Sequence, residues 1–372
     1  MISKHKSVDL LDTPSLIVDL DLMENNSKKM MNFLKGKKCF LRPHAKAHKI
    51  PELAKFQISQ GAKGICTAKL GEAEVMLENG LDDILITTPI ANEQKIDRMI
   101  KALKTYPKAR IIQVVDGVKQ VNALAEKLKK EKLNLEVLVE VEAGQKRCGV
   151  QVGTELIKLV KAIRSTKNLK FVGYQAYSGH LQHIHGYEKR KELARQAVMP
   201  LVGLLAKEND PDLKYEILSG GGTGTYDVYE DLPFTELQAG SYIFMDADYN
   251  NIGSKDGNNK YTDFQCALKV ISTVISMPTS TRAIVDAGMK CLSIDSGMPI
   301  LENHPEISYR SGGDEHGILD LPEGFSKFDI GQKLIFIPSH CDTTLNQFDK
   351  LYGVRKNIIE TEWNIKARGR SN

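Results

Sequence analysis

Long apolar runs are missing from this sequence: it has no stretch of about 18 uninterrupted apolar residues, the length a helix needs to cross a bilayer. The basic start Met1-Ile2-Ser3-Lys4-His5-Lys6 has no apolar segment behind it, so a secretion signal is not expected either. An excess of one charge is also missing. The 51 Lys and Arg against 47 Asp and Glu leave a formal charge of +4, too near balance to imply a nucleic acid or an anionic membrane as partner. Cysteine is sparse: Cys39, Cys66, Cys148, Cys266, Cys291 and Cys341 show no Cys-x-x-Cys spacing, and most sit in apolar runs. That pattern favours reduced, buried thiols in a cytoplasmic protein over a disulfide framework or a zinc ribbon. Internal repeats and low-complexity segments are absent as well.

What is present is a long, regular alternation. With 372 residues the chain is expected to hold two or three domains. After the turn Thr13-Pro14-Ser15, Leu16–Leu20 reads as a strand, and from Asp21, a good N-cap, the apolar spacing turns helical. Apolar runs near 39–42, 64–67, 83–86, 109–115, 135–141, 169–174, 215–218 and 236–244 then alternate with helical periodicities such as Ile50–Gln60, Leu70–Asn79, Gln120–Lys130 and Glu155–Ser165. Pro51 suits a first helical turn, and Gly61 and Gly80 sit where helices end. The pattern predicts an α/β fold, a (β/α)8 barrel over residues 21–245, with an open doubly wound sheet as the alternative. Beyond residue 246 the helical segments stop. Strands over Cys266–Ile275, Arg282–Asp286 and Gln332–Ile337 predict a mostly β second domain over 246–372, joined by the N-terminal segment 1–20.

In a barrel the chemistry gathers at the C-terminal ends of the strands. The run Arg42-Pro43-His44-Ala45-Lys46-Ala47-His48-Lys49 follows the first of these, and Lys46 is placed to face the mouth as a Schiff-base lysine, whereas Lys49 belongs to the oncoming helix. Ser219-Gly220-Gly221-Gly222-Thr223-Gly224-Thr225 has the composition of a phosphate cradle, with Ser219 and Thr223 as hydroxyl donors and Gly221, Gly222 and Gly224 opening backbone amides. No Gly-Lys-Ser/Thr follows, so it is not a P-loop, and a flexible linker remains the plainer alternative. An aldehyde-binding lysine with a phosphate nest suggests pyridoxal 5'-phosphate. Thr67, Arg147 and Tyr177 also follow predicted strands; Arg147 could hold the cofactor's phenolic oxygen, though an exposed loop arginine explains it equally well. His180 could face the cavity as a base, or be structural. His340 and Asp342, two apart after the strand Leu334–Ile337, project to one side if the chain stays extended and could then grip Mn2+ or Mg2+ more readily than Zn2+. A structural turn accounts for that pair at least as well.

Taken together these strings resemble the D-threonine aldolase and D-serine dehydratase-like family, related to the alanine-racemase barrel. The likeness runs through R-P-H-A-K-A-H-K at 42–49, C-T-A-K-L-G-E-A-E at 66–74, Q-A-Y-S-G-H at 175–180, S-G-G-G-T-G-T-Y at 219–226, E-L-Q-A-G-S-Y at 236–242, D-A-G-M-K at 286–290, D-E-H-G at 314–317 and P-S-H-C-D at 338–342. The resemblance implies Lys46 as the cofactor lysine, a divalent ion on His340 and Asp342, and a homodimer. In dehydratase-like members the second metal ligand is typically cysteine; Asp342 at that place leans toward an aldolase that cleaves D-3-hydroxy amino acids. The alternatives are a D-serine dehydratase-like ammonia-lyase and a cofactor-binding protein without turnover.

Overall fold

Eight short strands carry the site. In the computed structural model, which describes residues 6–207 and 210–372, they are Phe40–Leu41, Ile65–Thr67, Asp83–Ile86, Arg110–Val115, Leu135–Glu140, Leu169–Ala176, Ile217–Gly220 and Glu236–Leu237. They lie parallel, each beside its neighbour in sequence, and the eighth pairs with the first. The last seam is closed by a parallel bridge between His44 and Cys66, with Cys66 N–H donating to the Pro43 carbonyl at 2.8 Å. The expected barrel is therefore observed. Its strands are β-branched because both faces are buried: Leu85, Ile112, Val114, Leu138, Val172 and Ile217 form one apolar cluster. Full burial of each such side chain contributes about 1.5–3 kcal/mol.

The helices between strands follow the apolar periodicity closely. Pro51–Ser59, Leu70–Glu78, Val118–Glu131 and Thr154–Arg164 end within two residues of the expected bounds. Helix Glu93–Thr105 buries Ile96, Met99 and Ile100 on one stripe, and the Asn92 side chain caps it by accepting from Lys95 N–H at 2.8 Å. One expectation is corrected: the apolar run 236–244 is a strand only over Glu236–Leu237, and Ser241–Ile243 is a 3-10 turn. A continuous buried apolar run does not by itself distinguish strand from buried turn.

Two local features set the register of the barrel. Gly173 (φ +148°) marks a bulge in Leu169–Ala176, where a Cβ would run into the Ile217 carbonyl. Past this bulge Gln175 stands beside Glu140 on one side and Ser219 on the other. Arg42, fully buried, ties the first strand to two others: Nε and Nη2 donate to the two oxygens of Glu236 at 2.9 Å, and Nη1 to Asp83 at 2.6 Å.

The chain forms two compact units, and the barrel is one of them, made of Met31–Lys46, Pro51–Gly240 and Arg370–Asn372. The other takes the described residues up to Met30, Ala47–Ile50 and Ser241–Gly369. The first five residues of the segment 1–20 assigned to the β domain lie outside the described residues. Within this second unit Leu268–Thr279 is the central strand. It pairs antiparallel with Ser15–Asp19, Arg282–Val285 and Lys333–Ile337. Ile17, Ile271, Val354 and Ile359 pack in its core. Among the described residues no helix is long and apolar enough to cross a membrane.

Candidate active site

A cavity of about 420 Å³ opens on the barrel unit, within the size range of small-molecule sites. His44, Lys46, Thr87, Glu140, Arg147, Gln175, Tyr177 and Gln238 line it, and nearly all lie at or just past a strand's C-terminal end. Lys46 sits in the single 3-10 turn Ala45–Ala47 and is half-buried. His44 is fixed beside it: Nδ1 accepts from Lys46 N–H at 3.4 Å, which leaves Nε2 to donate to Thr87 Oγ1 at 3.1 Å. The guanidinium of Arg147 lies 5.8 Å from the centre of the Tyr177 ring.

A polar layer crosses this cavity, and the strand register builds it. Gln175 Nε2 donates to Glu140 Oε2 and to the Thr87 carbonyl, while its Oε1 accepts from Gln238 Nε2 at 2.8 Å. Gln238 Nε2 also donates to Ser219 Oγ at 2.9 Å. Glu140 is buried, and burial is the main reason its carboxyl is pushed up to about 8, the Gln175 bond and the Arg147 charge opposing it only in part. At neutral pH this carboxyl holds a proton. Glu140 was not among the residues singled out from sequence, although an acid embedded in the strongly apolar strand Leu135–Val141 is a readable signal.

The glycine run is more committed than its composition suggests. Gly222 N–H donates to Thr225 Oγ1 and Gly224 N–H to Gln182 Oε1, each at 3.1 Å. A Cβ at Gly224 would strike the Gln182 carbonyl, so that glycine is required by close packing. Ser219 and Thr223 are buried within the same segment, and Gly221 has φ +68°. Thr67 ends the second strand fully buried, directly before the cavity-lining Ala68, and its Oγ1 has no hydrogen-bond partner among the described residues; the same holds for Gln113 Oε1.

The cationic run 42–49 divides. His44 and Lys46 line the cavity, whereas Arg42 serves the buried Glu236–Asp83 cluster and His48 is buried with Nδ1 accepting from Ile50 N–H at 3.1 Å. His180 is exposed in the short turn Gly179–Leu181; its ring lies over Gly144 and is not among the cavity-lining groups. A larger groove of about 560 Å³ beside Phe33, Lys37, Tyr229 and Phe234 also lies on the barrel unit. Lys37 there is ion-paired to Glu230 at 2.8 Å, and the groove gathers no comparable set of reactive groups.

In the second unit His340 caps the helix Cys341–Leu345, so Asp342 is already helical and the extended spacing expected for the pair is replaced by a turn. His340 Nδ1 is 2.7 Å from Asp295 Oδ2. Burial pulls its pKa down, but Asp342, Asp295 and Asp246 together turn the net shift upward. Carboxylates that favour a proton on that ring also favour a cation beside it. Cys341 is buried, and burial holds its thiol well above the ordinary range. Among the described residues no group of three or more His, Cys, Asp or Glu side chains is arranged to hold a metal. All six cysteines are free.

Comparison with known proteins places these features. Residues 18–248 match the model of the alanine racemase N-terminal domain, and 267–354 that of a putative serine dehydratase domain. The chain is 36% identical over 363 residues to a 3-hydroxy-D-aspartate aldolase of Paracoccus denitrificans, covering 97% of this chain and 93% of that one. It is equally 36% identical over 361 residues to a D-threonine aldolase of an Arthrobacter species, covering 96% and 93%. The crystal structure of a D-threonine aldolase from Filomicrobium marinum superposes with a TM-score of 0.92 at 36% identity, over 99% of this chain and 98% of the other. A racemase-type barrel, a serine-dehydratase segment and end-to-end likeness to two aldolases make this chain a member of the D-threonine aldolase and D-serine dehydratase-like family.

Proposed function

We propose that the chain is a carbon–carbon lyase that cleaves D-3-hydroxy amino acids such as D-threonine to glycine and an aldehyde. It would use pyridoxal 5'-phosphate and a divalent metal, as a cytoplasmic homodimer. The observation that carries the reading is Lys46 on the wall of a cavity at the strands' C-terminal ends, shared with Arg147 and Tyr177. Full-length likeness to two aldolases supports the choice of reaction and sets aside a binding protein without turnover.

The residues present suit the cofactor. A buried hydroxyl without a partner at Thr67 and a cavity of suitable size are what an absent polar ligand leaves behind. Bound pyridoxal phosphate supplies the sink for the electron pair released when the Cα–Cβ bond breaks. Lys46 would hold its aldehyde carbon and Arg147 its phenolic oxygen. Ser219, Thr223 and the backbone at Gly221 would hold the phosphate end, while Gly222 and Gly224, whose N–H groups already donate to Thr225 and Gln182, would serve by letting the chain pack closely. The protonated Glu140 keeps Gln175 and Gln238 in one orientation beside it, so the polar wall does not reorganise when charge develops.

His340 and Asp342 suit a metal as an open, two-donor site. A divalent ion held there would act as a Lewis acid that makes a coordinated hydroxyl easier to deprotonate. An imidazole with a carboxylate, and a neighbouring thiol buried in its protonated form, favours Mn2+ or Mg2+ over Zn2+. A solvent molecule would accept the hydroxyl proton, since the His180 ring lies over Gly144 and outside the group lining the Lys46 cavity.

The serine-dehydratase segment at 267–354 favours a second reading, in which Lys46 takes the α-proton and the hydroxyl leaves, giving a 2-oxo acid and ammonia. Product analysis after incubation with D-threonine and, separately, D-serine decides. Acetaldehyde with glycine from D-threonine is the expected result; pyruvate from D-serine with no cleavage of D-threonine would reject the aldolase.

A further inference from the structure

Asp295 stands in the turn that follows strand Arg282–Val285, some 45 residues from His340 along the chain, and the sequence gives it no distinguishing mark. In the structure it is tied to the segment 339–344 from several sides. Its Oδ2 lies 2.7 Å from His340 Nδ1. Its Oδ1 accepts from Ser293 Oγ at 2.6 Å and from Thr343 Oγ1 at 2.9 Å. The turn itself is anchored to the same segment: Ser339 Oγ donates to the Ser293 carbonyl, and Ser293 N–H donates to Thr344 Oγ1 at 3.2 Å. Both oxygens of the carboxylate are thus occupied, one by the ring and the other by two hydroxyls.

This arrangement makes a choice between the two ring nitrogens. A carboxylate accepts and cannot donate, so the nitrogen facing it must carry the hydrogen. The other candidate partner of Nδ1, Ser296 Oγ, is 3.5 Å away and too far to compete. The lone pair of the neutral ring then resides on Nε2, which has no hydrogen-bond partner among the described residues. Metal-bound histidines are commonly fixed in this way, the second nitrogen donating to a carboxylate that sets the tautomer and raises the basicity of the first.

We propose that Asp295 is a positioning residue for the metal site: it holds the hydrogen on Nδ1 of His340 and so presents Nε2 to a divalent cation. Thr343 and Ser293 in turn hold Asp295, and Thr343 does so from the first turn of the helix that His340 caps. A one-turn helix therefore carries the ligand, and the hydroxyl that orients the ligand's own support. The inference rests on the assignment of His340 as a metal ligand made above.

Mn2+ binding to the full-length holoenzyme, followed by the electron paramagnetic resonance signal of free Mn2+ at fixed pH, tests it apart from turnover. Asp295→Ala is expected to raise the Mn2+ dissociation constant about 10–100-fold while leaving one site per chain. Asp295→Asn, which keeps an acceptor oxygen for Nδ1–H but loses the charge, is expected to fall between wild type and Asp295→Ala. Thr343→Val is expected to weaken binding less than either, and the cofactor's visible absorption stays unchanged in all three. If Asp295→Ala binds Mn2+ as tightly as wild type while His340→Ala loses it, the proposal is overturned and the metal assignment stands. Complete loss of the site in Asp295→Ala, equal to that in His340→Ala with a normal melting temperature, would make Asp295 a ligand and also overturn it. Wild type that binds no Mn2+ would remove the metal assignment itself.

Discussion

Glu140 shows most directly what burial does to one side chain in this protein. Its carboxyl, ordinarily at 4.5, titrates at about 8 in the folded chain because burial penalises the charge. Between those values the folded state binds a proton that the unfolded state has lost, so the protein's stability falls as pH rises through the window and the loss is complete above about 8. Glu140→Gln removes that titration while keeping an oxygen to accept from Gln175. Its melting temperature relative to wild type is expected to climb from pH 6 to pH 9; a pH-independent difference in thermal melts would contradict the assignment. Lys46, Arg147 and Tyr177 were legible in the sequence because they follow strand ends, whereas Glu140, Gln175 and Gln238 were not. Those three act through cross-strand register, set by a bulge at Gly173 that has no simple sequence signature. Proximity along the chain misled in the other direction: Arg42 and His48 flank Lys46 in sequence yet are buried in other roles.

At the level of the strand, Arg42 is a closure device. Joining the first strand to Glu236 of the eighth and Asp83 of the third, it occupies the seam where the barrel must meet itself. Gly64 leaves room for it, since a Cβ there would collide with the guanidinium and with the Asp83 carbonyl at 2.7 Å. Arg42→Met keeps the volume and leaves Glu236, whose side chain is wholly buried, with the more distant Lys63 ammonium at 4.0 Å in place of the paired guanidinium. Breaking a buried pair by removing one partner costs about 3–5 kcal/mol, and urea denaturation should show a loss of that order. A variant as stable as wild type would mean Glu236 is protonated, solvated or neutralised by Lys63. Helices were the most legible elements, because an amphipathic stripe such as Ile96, Met99 and Ile100 fixes both period and face. The end of the barrel was less legible: the run from Leu237 to Phe244 is mostly apolar and buried throughout, with only Gln238 and Ser241 polar among its larger side chains, yet only Glu236–Leu237 is strand.

For the molecule as a whole, the alternation of eight strands with helices was enough to indicate the barrel, and the quoted motifs were enough to indicate the family. Lys46 lies on the wall of the barrel cavity, and every functional assignment to the barrel unit follows from the cofactor being bound there. Reduction of the holoenzyme with borohydride, which fixes the cofactor to whichever amine holds it, followed by digestion and peptide mass spectrometry, tests this most directly. A single pyridoxyl-modified peptide carrying the tag on Lys46 is the predicted result; a tag on Lys49 or Lys290, or no tagged peptide at all, would contradict it.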